Sequence, residues 1–290
     1  MNNILITGAT GFIGKNLKNY LQKKYILFAP SHGELDLLDT ESVGQYLLNN
    51  HINIVIHTAN KNNTEKSATE YEVLDCNLRM YYNLIKYREH YQKMIYFGSG
   101  AEYGKNQDLN NISESKFGDV IPEDPYGFSK YIMAQEALHS ENIYDLCLFG
   151  VYGRYEEWQR RFISNAICRA LFNRPITLSQ NALFDYLYID DLIKIVEWFL
   201  ENTPKYHRYN ITRGDSVSLL DLAQLVNKCF HDELDIEIAK PGWKYAYSGS
   251  NELALAELGN LSFTDFEISI QELIRYYEKN KNKIDPNKLK

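Results

Sequence analysis

The fold is decided by residues 4–14, which read ILITGATGFIG. The first four residues form an apolar run of strand length, a turn with three glycines follows at once, and residues 15–21 then have helical spacing. Gly8 and Gly11 permit a tight turn and close approach of the backbone to a ligand, and Gly14 permits the helix to pack on the strand. The amino end of such a helix faces a pyrophosphate. The pattern predicts a dinucleotide site, and the alternative is a glycine turn without a ligand. The residues predicted to bind the cofactor here are Gly8, Thr10, Gly11, Phe12, Ile13 and Gly14.

Strand-length apolar runs recur along the chain and alternate with longer amphipathic stretches that are typical of helices. The runs are Ile4–Thr7, Tyr25–Ala29, Ile52–His57, Met94–Phe97, Leu146–Phe149 and Tyr186–Ile189. Such alternation predicts parallel strands joined by right-handed crossovers, which place helices on both faces of the sheet. We therefore predict an α/β fold, a doubly wound parallel sheet of the Rossmann type with a smaller, interleaved C-terminal lobe.

The alternating pattern changes after Gly153, where a basic and aromatic stretch leads into a helix-like segment that ends near Arg174. We predict a dinucleotide-binding domain over residues 1–155 and 181–204, and a substrate-binding lobe over residues 156–180 and 205–290. Within residues 205–290 the pattern predicts a strand at Tyr209–Thr212 and helices at Leu219–Phe230 and near Ile268–Tyr277.

Composition excludes several classes of protein. The 290 residues are 44% hydrophobic and 24% charged, and no apolar run approaches the roughly 20 residues of a membrane span. No secretory leader is visible, so we expect a soluble, cytoplasmic protein. The four cysteines form no CxxC pair, and we expect neither disulfides nor a metal site. The net charge of −7 argues against a chain that wraps nucleic acid, and a small-molecule partner is favoured.

The end of the second strand bears on the choice of dinucleotide, because a carboxylate there accepts from the ribose 2′-hydroxyl and repels a 2′-phosphate. The chain reads Phe28-Ala29-Pro30-Ser31-His32 at this point, and Glu34 and Asp36 follow slightly later. Ser31 and His32 can both hydrogen-bond a phosphate. This favours NADP, and NAD stays open.

Tyr126 and Lys130 are spaced i, i+4 at the start of an apolar helical run, which places a phenol and an ammonium on one helix face. A neighbouring cation stabilises phenolate and brings the tyrosine pKa toward the working range, so that Tyr126 can exchange a proton with a carbonyl oxygen. With 23 tyrosines in the chain, a chance Tyr-x-x-x-Lys is the alternative. The position favours chemistry, because the pair follows a strand that ends in Ser99, at the edge where ligands bind in such sheets.

These motifs together resemble the extended short-chain dehydrogenase/reductases, the NAD-dependent epimerase/dehydratase family. The motifs, in the family's order, are Thr7-Gly8-x-x-Gly11-x-x-Gly14, His57-Thr58-Ala59, Asn77, Ser99, Tyr103-Gly104, Tyr126-x-x-x-Lys130, Val151-Tyr152-Gly153 and Asp185–Leu192. The resemblance implies that Ser99 orients a substrate carbonyl, that Tyr126 is the acid/base and that Lys130 also holds the nicotinamide ribose. It further implies a sugar-nucleotide substrate bound between the two lobes. The cofactor residues predicted in addition are Ser31, His32, Asp36, Leu37, His57, Ala59, Asn77 and Lys130.

Within the family, residues 34–37 and 54–57 look most like the branch of GDP-fucose synthases and dTDP-4-keto-rhamnose reductases. The chain departs from related enzymes at the positions after Ser99. Dehydratases carry an Asp-Glu pair where this chain has Gly100 and Ala101, so elimination of water is not expected. The cysteine and histidine that GDP-fucose synthases use for 3,5-epimerisation align with Ala101 and Phe162. We therefore predict NADPH-dependent reduction of an NDP-4-keto-6-deoxyhexose for surface polysaccharide. The alternatives are an NAD-dependent C4 epimerase and a non-catalytic dinucleotide-binding protein.

Basic residues of the predicted lobe provide candidates for holding a diphosphate, since guanidinium forks bind phosphate oxygens in pairs. The alternative for each is a solvated surface group. The predicted substrate-binding residues are Ser99, Gly100, Ala101, Tyr126, Arg160, Arg161, Arg174 and Lys244. In relatives, helices corresponding to residues 77–91 and 131–139 form a dimer interface, so the resemblance also implies a homodimer.

Overall fold

The computed structural model describes residues 2–62, 69–230, 234–259 and 261–289. The strands in these residues are β1 Asn3–Thr7, β2 Ile26–Phe28, β3 Ile54–His57, β4 Lys93–Ser99, β5 Leu109–Ile112, β6 Ile143–Leu148, β7 Gly150–Tyr152, β8 Ile176–Leu178, β9 Leu183–Tyr188, β10 Arg208–Ile211, β11 Ser216–Ser218, β12 Ile236–Ile238 and β13 Tyr247–Gly249. The helices are α1 Phe12–Leu21, α2 Thr40–Asn49, α3 Glu70–Ile85, α4 Pro125–Leu138, α5 Phe162–Leu171, α6 Ile189–Glu201, α7 Leu219–Phe230, α8 Glu252–Leu258 and α9 Phe266–Lys279. Short 3₁₀ helices lie at Arg88–His90, Gly100–Tyr103, Glu114–Lys116, Lys281–Lys283 and Pro286–Lys288.

The main sheet has the strand order β10-β6-β4-β3-β1-β2, and each neighbouring pair runs parallel. Successive residues of its strands point to opposite faces, so that Ile4 and Ile6 join one hydrophobic core while Leu5 joins a second. The first core continues into the C-terminal part of the chain, and the second lies beneath α2, α3 and α4. The predicted doubly wound α/β fold is confirmed.

A second sheet has the order β11-β9-β13-β5, with β7 paired to β9, and β12 pairs with β8 separately. Two strands pair differently from what the predicted division of the chain implies. Strand β9, which we assigned to the dinucleotide-binding domain, belongs to the second sheet, whereas β10, assigned to the substrate lobe, forms the edge of the main sheet beside β6. A short apolar run indicates a strand but carries no information about its partner, so the sequence pattern could not assign these two strands to a sheet.

Helix α4 begins where the sequence predicts, because its first turn is well capped. The Asp124 carboxylate accepts from the backbone N–H of Gly127 at 2.9 Å, and Pro125 occupies the first helical position, where no backbone donor is needed. The helix therefore presents Tyr126 and Lys130 one turn apart toward the carboxyl end of β4. In the part of the chain that the structure describes, no helix is both long and apolar enough to cross a membrane.

Candidate active site

The glycine turn packs directly against the end of β3. Gly8 has a φ of +66°, which favours glycine, and a Cβ there would lie 2.7 Å from the backbone of Ala59. The backbone N–H of Gly11 closes the turn on the Gly8 carbonyl at 2.9 Å. A Cβ on Gly14 would collide with that same carbonyl oxygen and lie 2.6 Å from the Thr58 hydroxyl. The three glycines therefore hold α1 against the sheet in the way that the sequence predicts.

The amino end of α1 opens into a cavity of about 850 Å³. Among the described residues no side chain caps this helix, so its first backbone N–H groups are available to a ligand. The cavity runs along the carboxyl ends of β3, β4 and β6 to the segment before β13. The predicted residues that line it are Gly11, Phe12, Ile13, Gly14, His57, Ala59, Ser99, Tyr126, Lys130, Arg160, Arg161 and Lys244.

His57 is a buried, neutral member of the cavity wall. Burial, assisted by the Lys130 charge, lowers the pKa of His57 to about 3. Its Nδ1 lies 2.8 Å from the Thr7 hydroxyl, and its ring stacks on Tyr96 with centroids 6.0 Å apart. An imidazole with these contacts lines the cavity without adding charge.

Ser99, Tyr126 and Lys130 all line the same cavity, as predicted from their positions in the chain. The Ser99 hydroxyl accepts from the backbone N–H of Ala101 at 3.2 Å. The Lys130 ammonium donates to the Phe97 carbonyl at 2.9 Å and lies 5.8 Å from the centre of the Tyr126 ring. A phenol, a hydroxyl and an ammonium therefore meet at one end of the cavity.

The electrostatics of Tyr126 differ from the expectation. Burial raises the pKa of Tyr126, while the Ser99 hydroxyl and the Arg161 guanidinium act in the opposite direction. We expected Lys130 to lower this pKa, but its ammonium bonds the Phe97 carbonyl, and burial lowers the pKa of Lys130 itself to about 8. Tyr126 therefore holds its proton at neutral pH, which suits a proton donor.

Besides Lys130, the cations that line the cavity include Lys105, Arg161 and Lys244. Desolvation lowers the pKa of Lys105, Asp124 raises it, and the charges of Arg161 and Lys244 lower it further. The Lys105 ammonium lies 5.2 Å from the centre of the Tyr126 ring. Positive charges that repel one another along a cavity wall favour an anionic ligand. Arg160 lines the cavity as well, and its Nε lies 3.3 Å from Glu157.

The wall residues that sequence reasoning missed include Lys105, Glu156 and Tyr247. The Tyr247 hydroxyl lies 3.4 Å from the Ser99 hydroxyl, and burial raises the Tyr247 pKa. Burial raises the pKa of Glu156 to about 8, and this carboxyl accepts from the Ser164 hydroxyl at 2.6 Å. Tyr247 lies on a short strand far along the chain from the motifs. Lys105 directly follows the Tyr103-Gly104 motif, and Glu156 lies three residues after the Val151-Tyr152-Gly153 motif, so a clue existed for these two.

The tip of β2 is arranged differently from the expectation. Both the backbone N–H and the hydroxyl of Ser31 donate to the Glu34 carboxylate, at 2.7 and 2.8 Å. These hydrogen bonds lower the pKa of Glu34. The His32 side chain is exposed, with Nδ1 4.0 Å from Asp36. The Ser31 hydroxyl, which we predicted to bond a phosphate, is therefore engaged with the Glu34 carboxylate.

Other predicted residues are not among the described residues that line the cavity. They are Gly8, Thr10, Ser31, His32, Asp36, Leu37, Asn77, Gly100, Ala101 and Arg174. Asn77 is buried and bonds the backbone of Lys61 through both of its side-chain ends, at 2.8 and 3.0 Å, so it supports the segment that follows β3. Ala101 is fully buried, and Gly100 packs against the Phe149 ring. Arg174 donates to the Pro286 carbonyl, because the turn after α5 directs it toward the C-terminal segment.

Comparison with known proteins gives a consistent picture. The family model described as the NAD dependent epimerase/dehydratase family matches residues 4–212. GDP-L-colitose synthase of Yersinia pseudotuberculosis is 23% identical over 311 aligned positions, which cover 96% of this chain and 99% of that protein. ADP-L-glycero-D-manno-heptose-6-epimerase of Brachyspira hyodysenteriae is 26% identical over 263 positions, covering 78% and 81%. The crystal structure of a GDP-L-fucose synthetase from Naegleria fowleri bound to NADP superimposes with a TM-score of 0.82 at 18% identity, covering 97% of this chain and 95% of that one. At this identity the structural likeness establishes a common fold.

Proposed function

The chain belongs to the NAD dependent epimerase/dehydratase family, and from that membership we propose that it is an NADPH-dependent 4-keto reductase acting on an NDP-4-keto-6-deoxyhexose. Its product would be a 6-deoxy sugar nucleotide for surface polysaccharide. The observation that carries the proposal is the meeting of Ser99, Tyr126 and Lys130 in a cavity that also receives the open amino end of α1.

The chain fits a dinucleotide at this position. The glycine turn leaves no room for a side chain between α1 and β3, and the free N–H groups of the helix suit a pyrophosphate. Lys130 would hold the nicotinamide ribose, and its ammonium already reaches the end of β4. Reduced nicotinamide, when bound, supplies a hydride to a carbonyl carbon.

The side chains then complete the reduction of the sugar ketone. Ser99 donates a hydrogen bond to the ketone oxygen and orients it, and Tyr126 gives its proton to that oxygen as hydride reaches C4. One C–H and one O–H bond form, the C=O double bond becomes single, and Tyr126 regains a proton from solvent. The raised pKa of Tyr126 ensures that the proton is present at neutral pH.

Lys105, Arg161 and Lys244 support a sugar nucleotide as the substrate, because a diphosphate would relieve their mutual repulsion. The names of the two curated relatives point the same way, since one makes GDP-colitose and the other acts on an ADP-heptose.

Reduction is favoured over elimination of water by the absence of an acid at residues 100 and 101. Among the described residues, the carboxyl groups that line the cavity are those of Asp124 and Glu156, and both are engaged in the fold. Asp124 caps α4, and Glu156 bonds Ser164. Asp124 and Glu156 are not adjacent in the sequence, unlike the Asp-Glu pair that dehydratases of the family carry.

The Glu34 carboxylate favours a second candidate, an NAD-dependent C4 epimerase. A carboxylate at the tip of β2 repels a 2′-phosphate and accepts from a ribose hydroxyl. An epimerase keeps NAD bound and returns the hydride to the opposite face of the sugar. Protein purified without added cofactor would then carry NAD and turn substrate over unaided. A non-catalytic dinucleotide-binding protein would do neither.

The decisive experiment incubates the protein with NADPH or NADH and a panel of freshly made 4-keto-6-deoxy sugar nucleotides, and follows the loss of nicotinamide absorbance. We expect oxidation with at least one member. The matched control is Tyr126→Phe, which should lower turnover by about 10²- to 10⁴-fold with little change in dinucleotide affinity. Unchanged turnover in this variant would reject the mechanism.

We also propose that the chain forms a homodimer through α3 and α4. Tyr71 and Tyr82 of α3 are 74% and 38% exposed, and Leu138 of α4 is 42% exposed. Apolar side chains on neighbouring helices are typical of an interface. Small-angle scattering of the protein in solution tests it, and a monomeric mass would reject it.

A further inference from the structure

A cluster of buried charges lies behind the wall that carries Ser99 and Lys130. It contains Glu102 of the 3₁₀ helix after β4, Asp145 of β6 and Arg208 of β10, which are 0%, 0% and 3% exposed. One Arg208 Nη donates to Glu102 at 2.9 Å, and Nε lies 3.2 Å from Asp145. Charges removed from water in this way are costly to the fold, so their position is informative.

The cluster and the catalytic groups contact the same three residues at the end of β4. The Lys130 ammonium donates to the Phe97 carbonyl at 2.9 Å. The backbone N–H of Ser99 donates to the Glu102 carboxylate at 2.8 Å. Between them, any side chain on Gly98 would collide with carboxylate oxygens of both Glu102 and Asp145. The Glu102 carboxylate therefore binds the backbone at the end of β4, which carries the Ser99 hydroxyl.

Glu102 is the better satisfied of the two acids. It accepts from both Ser99 and Arg208, whereas neither Asp145 oxygen has a hydrogen-bond partner among the described residues. Burial and the Glu102 charge raise the pKa of Asp145 well above its usual range.

The acids of the cluster act on Lys130. Burial lowers the pKa of Lys130 to about 8, and the charges of Glu102 and then Asp145 oppose that effect. Arg208 is the cation paired with Glu102 in the cluster, and the remaining described groups near the ammonium are uncharged at neutral pH. Burial lowers the pKa of His57 to about 3 and raises the pKa of Cys147 and of Tyr96, whose ring lies 4.6 Å from the ammonium. The pKa of Tyr126 is likewise raised.

We propose that Glu102, held by Arg208, is a positioning residue of this enzyme, which fixes the backbone of Ser99 and supplies the negative charge that keeps the Lys130 ammonium protonated. The roles of Ser99 and Lys130 rest on the proposed function. The contact between Lys130 and a dinucleotide does not depend on which sugar is reduced.

The test is NADH affinity as a function of pH, measured by fluorescence titration of the full-length wild type and of Glu102→Gln. Above the pKa of Lys130 the ribose loses a charged donor, so affinity should fall by about tenfold through an alkaline midpoint near pH 8. Glu102→Gln removes the opposing charge, and the midpoint should move to lower pH by about one unit. A purely structural role would weaken binding at every pH without moving the midpoint, and that result overturns the proposal.

Two further variants complete the design. Glu114→Gln is the matched control, since Glu114 also lies near Arg208 but bonds the backbone of Asn210. Its midpoint should equal that of the wild type, and a shift as large as that of Glu102→Gln overturns the proposal. Glu102→Asp keeps the charge and should keep the midpoint, and it replaces Glu102→Gln if near-ultraviolet circular dichroism shows that variant unfolded. A lowered midpoint in Glu102→Asp overturns the proposal. None of these results depends on the sugar panel, so failure of the reductase assay remains a separate outcome.

Discussion

Glu156 gives the most demanding test of the structure, because its burial converts into a definite dependence of stability on pH. The residue is 7% exposed, and burial raises its pKa from 4.5 to about 8. The folded state therefore keeps a proton that the unfolded chain releases above pH 4.5. The contribution of this group to stability is complete below pH 4.5 and is lost as the pH rises toward about 8.

The size of the effect follows from the difference between the two pKa values. The difference between 4.5 and about 8, at about 1.4 kcal/mol per unit, corresponds to about 5 kcal/mol. Glu156→Gln removes the titration and keeps an oxygen that can accept from Ser164. We expect this variant to match the wild type near pH 5 and to exceed its free energy of unfolding by up to about 5 kcal/mol at pH 9.

Urea denaturation followed by circular dichroism at pH 5, 7 and 9 measures the difference. Glu157→Gln is the matched control, because Glu157 is the next residue, is 39% exposed and pairs with Arg160. Its curve should run parallel to that of the wild type. Parallel curves for Glu156→Gln as well would refute the reasoning, because they would show that the buried carboxyl titrates normally.

Three further predictions concern the cavity and its support. Gly14→Ala should weaken NADH binding at least about tenfold, because a Cβ at this position collides with the Gly8 carbonyl. Gly33→Ala is the control, since a Cβ there would have nothing within 4 Å and should leave the affinity unchanged. Equal affinities of the two variants in a fluorescence titration would contradict this. Lys105→Met should weaken binding of a sugar nucleotide about tenfold and leave NADH binding unchanged. Calorimetry measures both affinities, and a loss of both would place Lys105 at the dinucleotide instead. Arg208→Met should lower the free energy of unfolding by about 3 to 5 kcal/mol, because it leaves buried carboxylates without their cation. Urea denaturation measures this difference, and a loss below about 1 kcal/mol would contradict the prediction.

Local features of the fold and site could be predicted from the sequence. The glycine spacing determines the turn before α1, because the hydrogen bond that closes the turn joins Gly11 to Gly8, three residues away. The i, i+4 spacing of Tyr126 and Lys130 fixes their common helix face wherever the helix lies. Helix α7 begins and ends as predicted, at Leu219 and Phe230.

Features that depend on tertiary placement could not be predicted in this way. Tyr247 reaches Ser99 from 148 residues away, and no local pattern marks it. The Ser31 hydroxyl donates to the Glu34 carboxylate in a turn that no local sequence pattern predicts. The pKa of Tyr126 rises because burial outweighs its charged neighbours. Burial is a property of the assembled wall, so spacing alone gave the opposite sign.

The position of β10 at the edge of the main sheet has a consequence for folding during synthesis. When a ribosome has produced only the first 155 residues, Glu102 and Asp145 have been synthesised, but the strand that brings Arg208 to them has not. Closing that half of the molecule would bury two acids without their cation, which is unfavourable. The nascent dinucleotide-binding half should therefore remain protease-sensitive until about residue 212 has left the exit tunnel.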